Sequence, residues 1–118
     1  MKNLLIEYPK CSTCQKAKKW LKDNQIEFEE RHIVEENPTV EELKKWIPQS
    51  RKDMRKWFNT SGLKYKELNL KDKLPKMSEE EMLELLASNG MLVKRPILIT
   101  EHDIFIGFKE NEWSSILK

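Results

Sequence analysis

The chain is poor in several residue types at once: it has two cysteines, two histidines, three glycines and five prolines in 118 residues. Two cysteines permit one bridge at most, which excludes a disulfide-stapled secreted scaffold and favours a reducing compartment. So few glycines and prolines exclude collagenous and linker-like architectures. Apolar runs are only a few residues long and none follows a basic leader, so neither a membrane span nor an export signal is expected. Charge of one sign is also lacking, because 22 basic residues stand against 20 acidic ones, a formal net of +2. Direct binding of nucleic acid needs a clustered basic face, which so even a balance does not suggest. These absences lead to the expectation of a cytoplasmic monomer, with neither a membrane nor nucleic acid as a direct partner.

What is present suits one domain with a modest core and a heavily solvated surface, 38% hydrophobic and 36% charged. Asn3 to Tyr8 is a short apolar run ended by Pro9 and reads as a buried strand. Ser12 with Gln15 fits a capping box, predicting a helix whose stripe is Cys14, Ala17 and Leu21 and which Asp23-Asn24 ends. Ile26 to Ile33 reads as a second strand. Thr39 with Glu42 opens another helix, with Val40, Leu43 and Ile47 on its stripe and Pro48 as its stop. Short apolar clusters between Arg51 and Lys73 predict two or three short helices, with turns at Ser61-Gly62 and Asn69. Ser78 with Glu81 caps a further helix on Met82, Leu85 and Leu86, with Gly90 expected in the left-handed position after it. Ile97 to Thr100 and Ile104 to Ile106 form a hairpin across Glu101-His102-Asp103. Trp113, Ile116 and Leu117 then mark a last helix.

The predicted order is βαβ, a helical middle, then ββα. Without the middle this is the minimal thioredoxin order. The fold class expected is therefore α/β, a single thioredoxin-like domain with core 1–38 and 91–118 and an all-helical insertion at 39–90.

Cys11 and Cys14 carry the chemistry. A thiol becomes a good nucleophile only on losing its proton, which a free cysteine does near pKa about 8.5. A helix start, with its unpaired N–H groups, favours the thiolate of Cys11, and Lys10 and Lys16 are close in sequence. Cys14, within the first turn, is placed to attack a mixed disulfide formed at Cys11. Two structural cysteines are the plainer alternative. A metal site is not expected, since His32 and His102, far apart in the chain, are the available histidines for a set of about four ligands. Pro96 stands where thioredoxin-like folds place a cis-proline facing the cysteines, so Arg95 is expected to reach the Cys11 thiolate or a bound anion. The tryptophans Trp20, Trp46, Trp57 and Trp113 lie on apolar stripes and read as core.

The segments Tyr8-Pro9-Lys10-Cys11-Ser12-Thr13-Cys14, Phe58-Asn59-Thr60-Ser61-Gly62, Leu85 to Leu92, Lys94-Arg95-Pro96-Ile97 and Gly107-Phe108-Lys109-Glu110 carry a resemblance over almost the whole chain. The sequence resembles the glutaredoxin-linked arsenate reductase and Spx family of thioredoxin-fold proteins. The resemblance implies catalytic roles for Cys11, Cys14 and Arg95, and substrate contacts at Lys10, Ser12, Thr13, Asn59 and Pro96. Arsenate reductases of this kind use three arginines, of which Arg95 matches one, while Asn59 and the region of Phe108 occupy the other positions. Spx-type regulators use a like cysteine pair as a redox switch and bind the C-terminal domain of the α subunit of RNA polymerase. Gln49-Ser50-Arg51-Lys52 stands where they carry a contacting glycine. The resemblance thus implies a CxxC thiol–disulfide oxidoreductase, or alternatively a redox-switched regulator. No tightly bound cofactor is expected, with glutathione as co-substrate, or glutaredoxin or thioredoxin as partner.

Overall fold

The computed structural model describes residues 3–117, apart from the side chains of Ile116 and Leu117, so those two expected apolar positions lie outside the described residues. In chain order the elements are β1 (Leu4–Glu7), α1 (Ser12–Asp23), β2 (Glu29–His32), α2 (Val40–Ser50), α3 (Leu63–Glu67), α4 (Leu70–Lys73), α5 (Glu79–Ser88), β3 (Ile97–Ile99), β4 (Ile104–Ile106) and α6 (Glu110–Leu117). Short 3-10 turns lie at Met54–Trp57, Leu74–Lys76 and Gly90–Leu92. The chain forms two compact units, residues 1–32 with 95–118, and residues 33–94.

The first unit holds a four-stranded sheet in the order β2-β1-β3-β4, with β1 parallel to β2 and antiparallel to β3, and β3 antiparallel to β4. This is the expected thioredoxin-like arrangement. A parallel neighbour for β1 requires a crossover, and α1 supplies it. In register, Leu5 stands opposite Leu98, and Leu98 opposite Phe105. These three, with Ala17, Leu21 and Trp113, make one buried cluster, and Trp20, Ile26, Phe28 and Phe108 pack on it partly buried. Burial of each large apolar side chain is worth about 1.5–3 kcal/mol before the entropic cost of ordering it.

The second strand is shorter than expected. Gln25 takes a left-handed conformation at φ 57, and the Ile26 amide donates to the Leu21 carbonyl at 2.9 Å. That wrap at the end of α1 turns Ile26 onto the core, and pairing with β1 begins only at Glu29.

In the second unit, both predicted capping boxes form. Thr39 Oγ1 accepts from the Glu42 amide at 3.1 Å, and Ser78 Oγ from the Glu81 amide at 3.2 Å. Leu43, Trp46 and Ile47 of α2 are buried, as are Met82, Leu83 and Leu86 of α5, and Val40 and Leu85 are half-buried. Pro48 does not stop α2. It lies in the last turn, where its fixed φ still fits a helix, and termination comes at Arg51 in the left-handed region at φ 61. Ser50, two residues before Lys52, is buried at the end of α2, and its Oγ accepts from Trp57 Nε1 at 3.1 Å. Gly90 is not left-handed either. It opens the 3-10 turn at Gly90–Leu92, and a Cβ there would overlap the Ile33 backbone.

Candidate active site

Local geometry at the start of α1 differs from the expected cap. Cys11, not Ser12, is the N-cap, with φ −86 and ψ 120, and its Sγ accepts from the Cys14 amide at 3.3 Å. Sulfur at this position takes the place that a serine hydroxyl or carboxylate oxygen usually fills. The Cys11 amide donates to the Tyr8 carbonyl at 3.0 Å, and Gln15 Nε2 reaches back to the Pro9 carbonyl at 2.8 Å. The turn carrying Cys11 is therefore tied on both sides.

The two thiols have opposite environments. Cys11 is half-buried and Cys14 fully buried, and neither is in a disulfide. Partial burial works against the Cys11 thiolate. Hydrogen bonds from the Cys14 thiol and amide, then the charge and hydrogen bond of Arg95, outweigh it and hold the Cys11 pKa below the ordinary thiol value. Cys14 is pushed up to about 12, first by burial and then by Cys11 and the Glu7 carboxylate, against a backbone hydrogen bond from Tyr8. Lys10 and Lys16 are exposed, where solvent screens their charge.

Arg95 precedes a cis peptide bond to the buried Pro96, in the position expected for such a proline. Its guanidinium lies over the Tyr8 ring, 5.1 Å from the centroid, and Tyr8 meets His32 edge-on at 5.7 Å. Tyr8 thus supplies a face that helps hold the Arg95 fork beside Cys11. Ser12 and Thr13 are exposed in the first turn of α1. Asn59 belongs to the second unit, where its amide donates to the Leu92 carbonyl at 2.7 Å and its Oδ1 accepts from Ser61 Oγ at 3.2 Å.

Tyr8, whose ring lies under Arg95, and Glu7, whose charge bears on Cys14, stand beside the thiols without having been expected there. An acid within the apolar run Leu4-Leu5-Ile6-Glu7 was the available signal.

Removing the Arg95 charge should make Cys11 less reactive. Arg95→Ala is expected to lower Cys11 alkylation at pH 7 about threefold or more and to move its pH midpoint upward. Arg95→Lys should restore only part, since an ammonium lacks the planar fork. Iodoacetamide kinetics across pH would check both, and an unmoved midpoint would remove Arg95 from the site.

A helix-capping thiol, a buried second thiol one turn along and a cis-proline before β3 mark a thioredoxin-fold protein. The chain belongs to the ArsC family, whose model matches residues 6–116. It is similar to the uncharacterized protein YusI of Bacillus subtilis, 56% identical over 90% of each chain. It also resembles the regulatory protein MgsR of Bacillus subtilis, 39% identical over 94% of this chain and 86% of that one. Among solved structures, an ArsC family related protein from Bacteroides fragilis superposes with a TM-score of 0.95 at 60% identity, covering 98% of this chain and 97% of that one. Regulators named Spx and structures titled as arsenate reductases are also among its relatives. Among the described residues no helix is long and apolar enough to cross a membrane.

Proposed function

We propose that the protein is a small thiol–disulfide oxidoreductase of the ArsC family, using Cys11 as attacking thiol and Cys14 as resolving thiol. One observation carries this reading: the thiolate is favoured at the half-exposed Cys11 and disfavoured at the buried Cys14. An attacking thiol must be ionised and reachable, and a resolving thiol must wait protonated until a mixed disulfide forms beside it. Cys11 Sγ attacks one sulfur of a disulfide and expels the other as a thiolate. Cys14 then displaces the second substrate sulfur and leaves Cys11 and Cys14 bridged. A thiol reductant such as glutathione, or the dithiol of a glutaredoxin or thioredoxin, returns the pair to the reduced form. Arg95 stabilises the Cys11 thiolate and offers its fork to a substrate carboxylate. Lys10, Ser12 and Thr13, exposed around the helix start, are proposed as substrate contacts with Pro96. Asn59 is proposed with them on the strength of the resemblance. We place the protein in the cytoplasm, where such reductants are found.

A glutathione-coupled assay following NADPH consumption on a small mixed disulfide tests turnover. Replacing Cys14 with serine should leave the first attack intact and trap the Cys11 adduct as a persistent mass increment. No adduct in that variant would remove the resolving role from Cys14.

A second reading is supported by the relatives named as regulators, 39% and 35% identical. In it the same pair is a redox switch, and the reduced and bridged forms differ in affinity for the C-terminal domain of the α subunit of RNA polymerase. Equal or absent binding of that domain by the two forms would sink it.

A further inference from the structure

We infer that β2 is a docking edge for a second copy of this chain, the two β2 strands pairing antiparallel about a two-fold axis at Glu30. This surface is separate from the thiols and from the function proposed for them. It departs from the monomer expected of the composition, because overall charge does not report which charges line one edge.

β2 (Glu29–His32) closes the sheet on one side, and among the described residues its one paired strand is β1. One hydrogen bond sets the direction of its backbone groups. The Glu29 amide donates to the Asn3 carbonyl at 2.8 Å, so Glu29 turns its backbone toward β1. In a parallel ladder such residues alternate with residues that face away. Arg31 therefore also faces β1, and Glu30 turns its N–H and C=O outward. Outward groups on an edge are a template for another strand.

Side chains alternate between the two faces as well. Phe28, Glu30 and His32 are on the α1 side, where Phe28 packs on the buried cluster and Glu30 lies 3.4 Å from Lys18 Nζ. Glu29 and Arg31 are on the opposite side. A two-fold axis normal to the sheet allows only registers in which one residue faces its own copy. With Glu30 at the axis, its outward N–H and C=O exchange two hydrogen bonds with those of the second copy. Glu29 then faces Arg31 of the second copy, and Arg31 faces its Glu29. Both pairs fall in the close, non-hydrogen-bonded positions, where Cα atoms are about 4.5 Å apart. Opposite charges placed so attract across a ladder.

Glu30 facing Glu30 is the like-charged pair in this register. Each of these carboxylates has Lys18 beside it, and Lys18 is itself held by the buried Glu7 at 3.1 Å. Moving the axis to Arg31 would set two arginines face to face and take Glu29 away from Arg31. Charges on an edge usually keep other strands off. Here their signs are ordered so that the strand complements itself. The interface also reaches the neighbourhood of the thiols. Phe28 of the second copy comes opposite His32, whose ring meets the Tyr8 ring that carries Arg95.

Sedimentation equilibrium of the reduced protein at low salt, from about 10 µM to about 1 mM, reads the assembly. The wild type is expected to pass reversibly from the 14.2 kDa of one chain toward twice that mass. An edge of four residues buries less than a stable dimer needs, so the dimer is expected in the upper part of that range. Glu30→Pro removes an N–H that faces away from β1 and keeps the ladder to it. It should weaken dimerisation about tenfold or more and leave the circular dichroism unchanged. Glu29→Arg or Arg31→Glu alone should each weaken it about tenfold, and the double exchange should restore it to within about threefold of wild type. A strand that was merely destabilised would not recover in the double exchange. A wild type that keeps the mass of one chain throughout overturns the inference. So does a dimer that Glu30→Pro leaves intact, or one that the double exchange fails to restore. Should Glu30→Pro not fold, the charge exchange decides by itself.

Discussion

Replacing Cys11 with serine is expected to slow alkylation of the protein at pH 7 by at least about a hundredfold, leaving Cys14 nearly inert. The magnitude follows from two opposed effects. An ordinary thiol of pKa about 8.5 is ionised to a few per cent at pH 7, and Cys11 lies below the ordinary value. Cys14, pushed up to about 12, is ionised about 10³-fold less than an ordinary thiol. Against this, a more basic thiolate is more nucleophilic, with a Brønsted slope of about 0.4–0.5, which recovers between one and two powers of ten. The net advantage of Cys11 remains near a hundredfold before access is counted, and access widens it, since Cys14 is 0% exposed. Burial, the largest cause of the Cys14 shift, stays when Cys11 is replaced; the smaller part owed to Cys11 is lost, and the inaccessibility of Cys14 works against that loss. Timed iodoacetamide labelling with mass spectrometry of wild type, Cys11→Ser and Cys14→Ser measures this directly. Comparable labelling rates for the two single variants would overturn the division of roles.

The largest expected loss of stability from adding a single methyl group is at Gly90. A Cβ built there overlaps the Ile33 carbonyl oxygen and lies 2.6 Å from its carbon and 2.9 Å from the Val34 Cα. These are backbone atoms, which cannot swing aside as the end of a long side chain can. Gly90→Ala is therefore expected to cost about 3 kcal/mol or more, at the upper end of overpacking effects, against a total stability on the order of 5–15 kcal/mol. Gly107 provides the contrast. It has φ 74, and alanine there incurs the left-handed penalty of about 1–2 kcal/mol. Urea unfolding of the two variants separates the cases. A Gly90→Ala loss no greater than that of Gly107→Ala would show that close approach is not what requires glycine at position 90.

Gly90 also shows how far a sequence can be read. The run Leu85-Leu86-Ala87-Ser88-Asn89-Gly90 has the form of a helix closed by a left-handed glycine, and the closure does fall there. The reason for glycine is different, because Ile33 lies 57 residues away in the chain and no local pattern reports its approach. The capping boxes at Thr39 and Ser78 were legible because all their atoms lie within four consecutive residues. The same rule misplaced the first cap by one residue. Ser12 and Gln15 satisfy the motif, yet the conformation of the chain leaving Pro9 puts Cys11 at the cap and sends the Gln15 side chain back to the Pro9 carbonyl. Pro48 was read as a stop because a proline lacks an N–H, but a missing donor matters little in a last turn that ends two residues later.

By itself the sequence determined the order of strands and helices, the paired cysteines at a helix start, the proline before β3 and most of the buried stripes. Each of these is written in periodicity or in neighbours a few residues apart, where backbone geometry alone relates them. Only the tertiary structure decided which acid is buried, which lysine meets it and where Arg95 rests. Glu7 and Lys18 are 11 positions apart, and Tyr8 and Arg95 are 87 apart. Their pairing depends on the parallel crossover and the antiparallel return of β3, and charges brought together in that way leave no spacing to read in the chain.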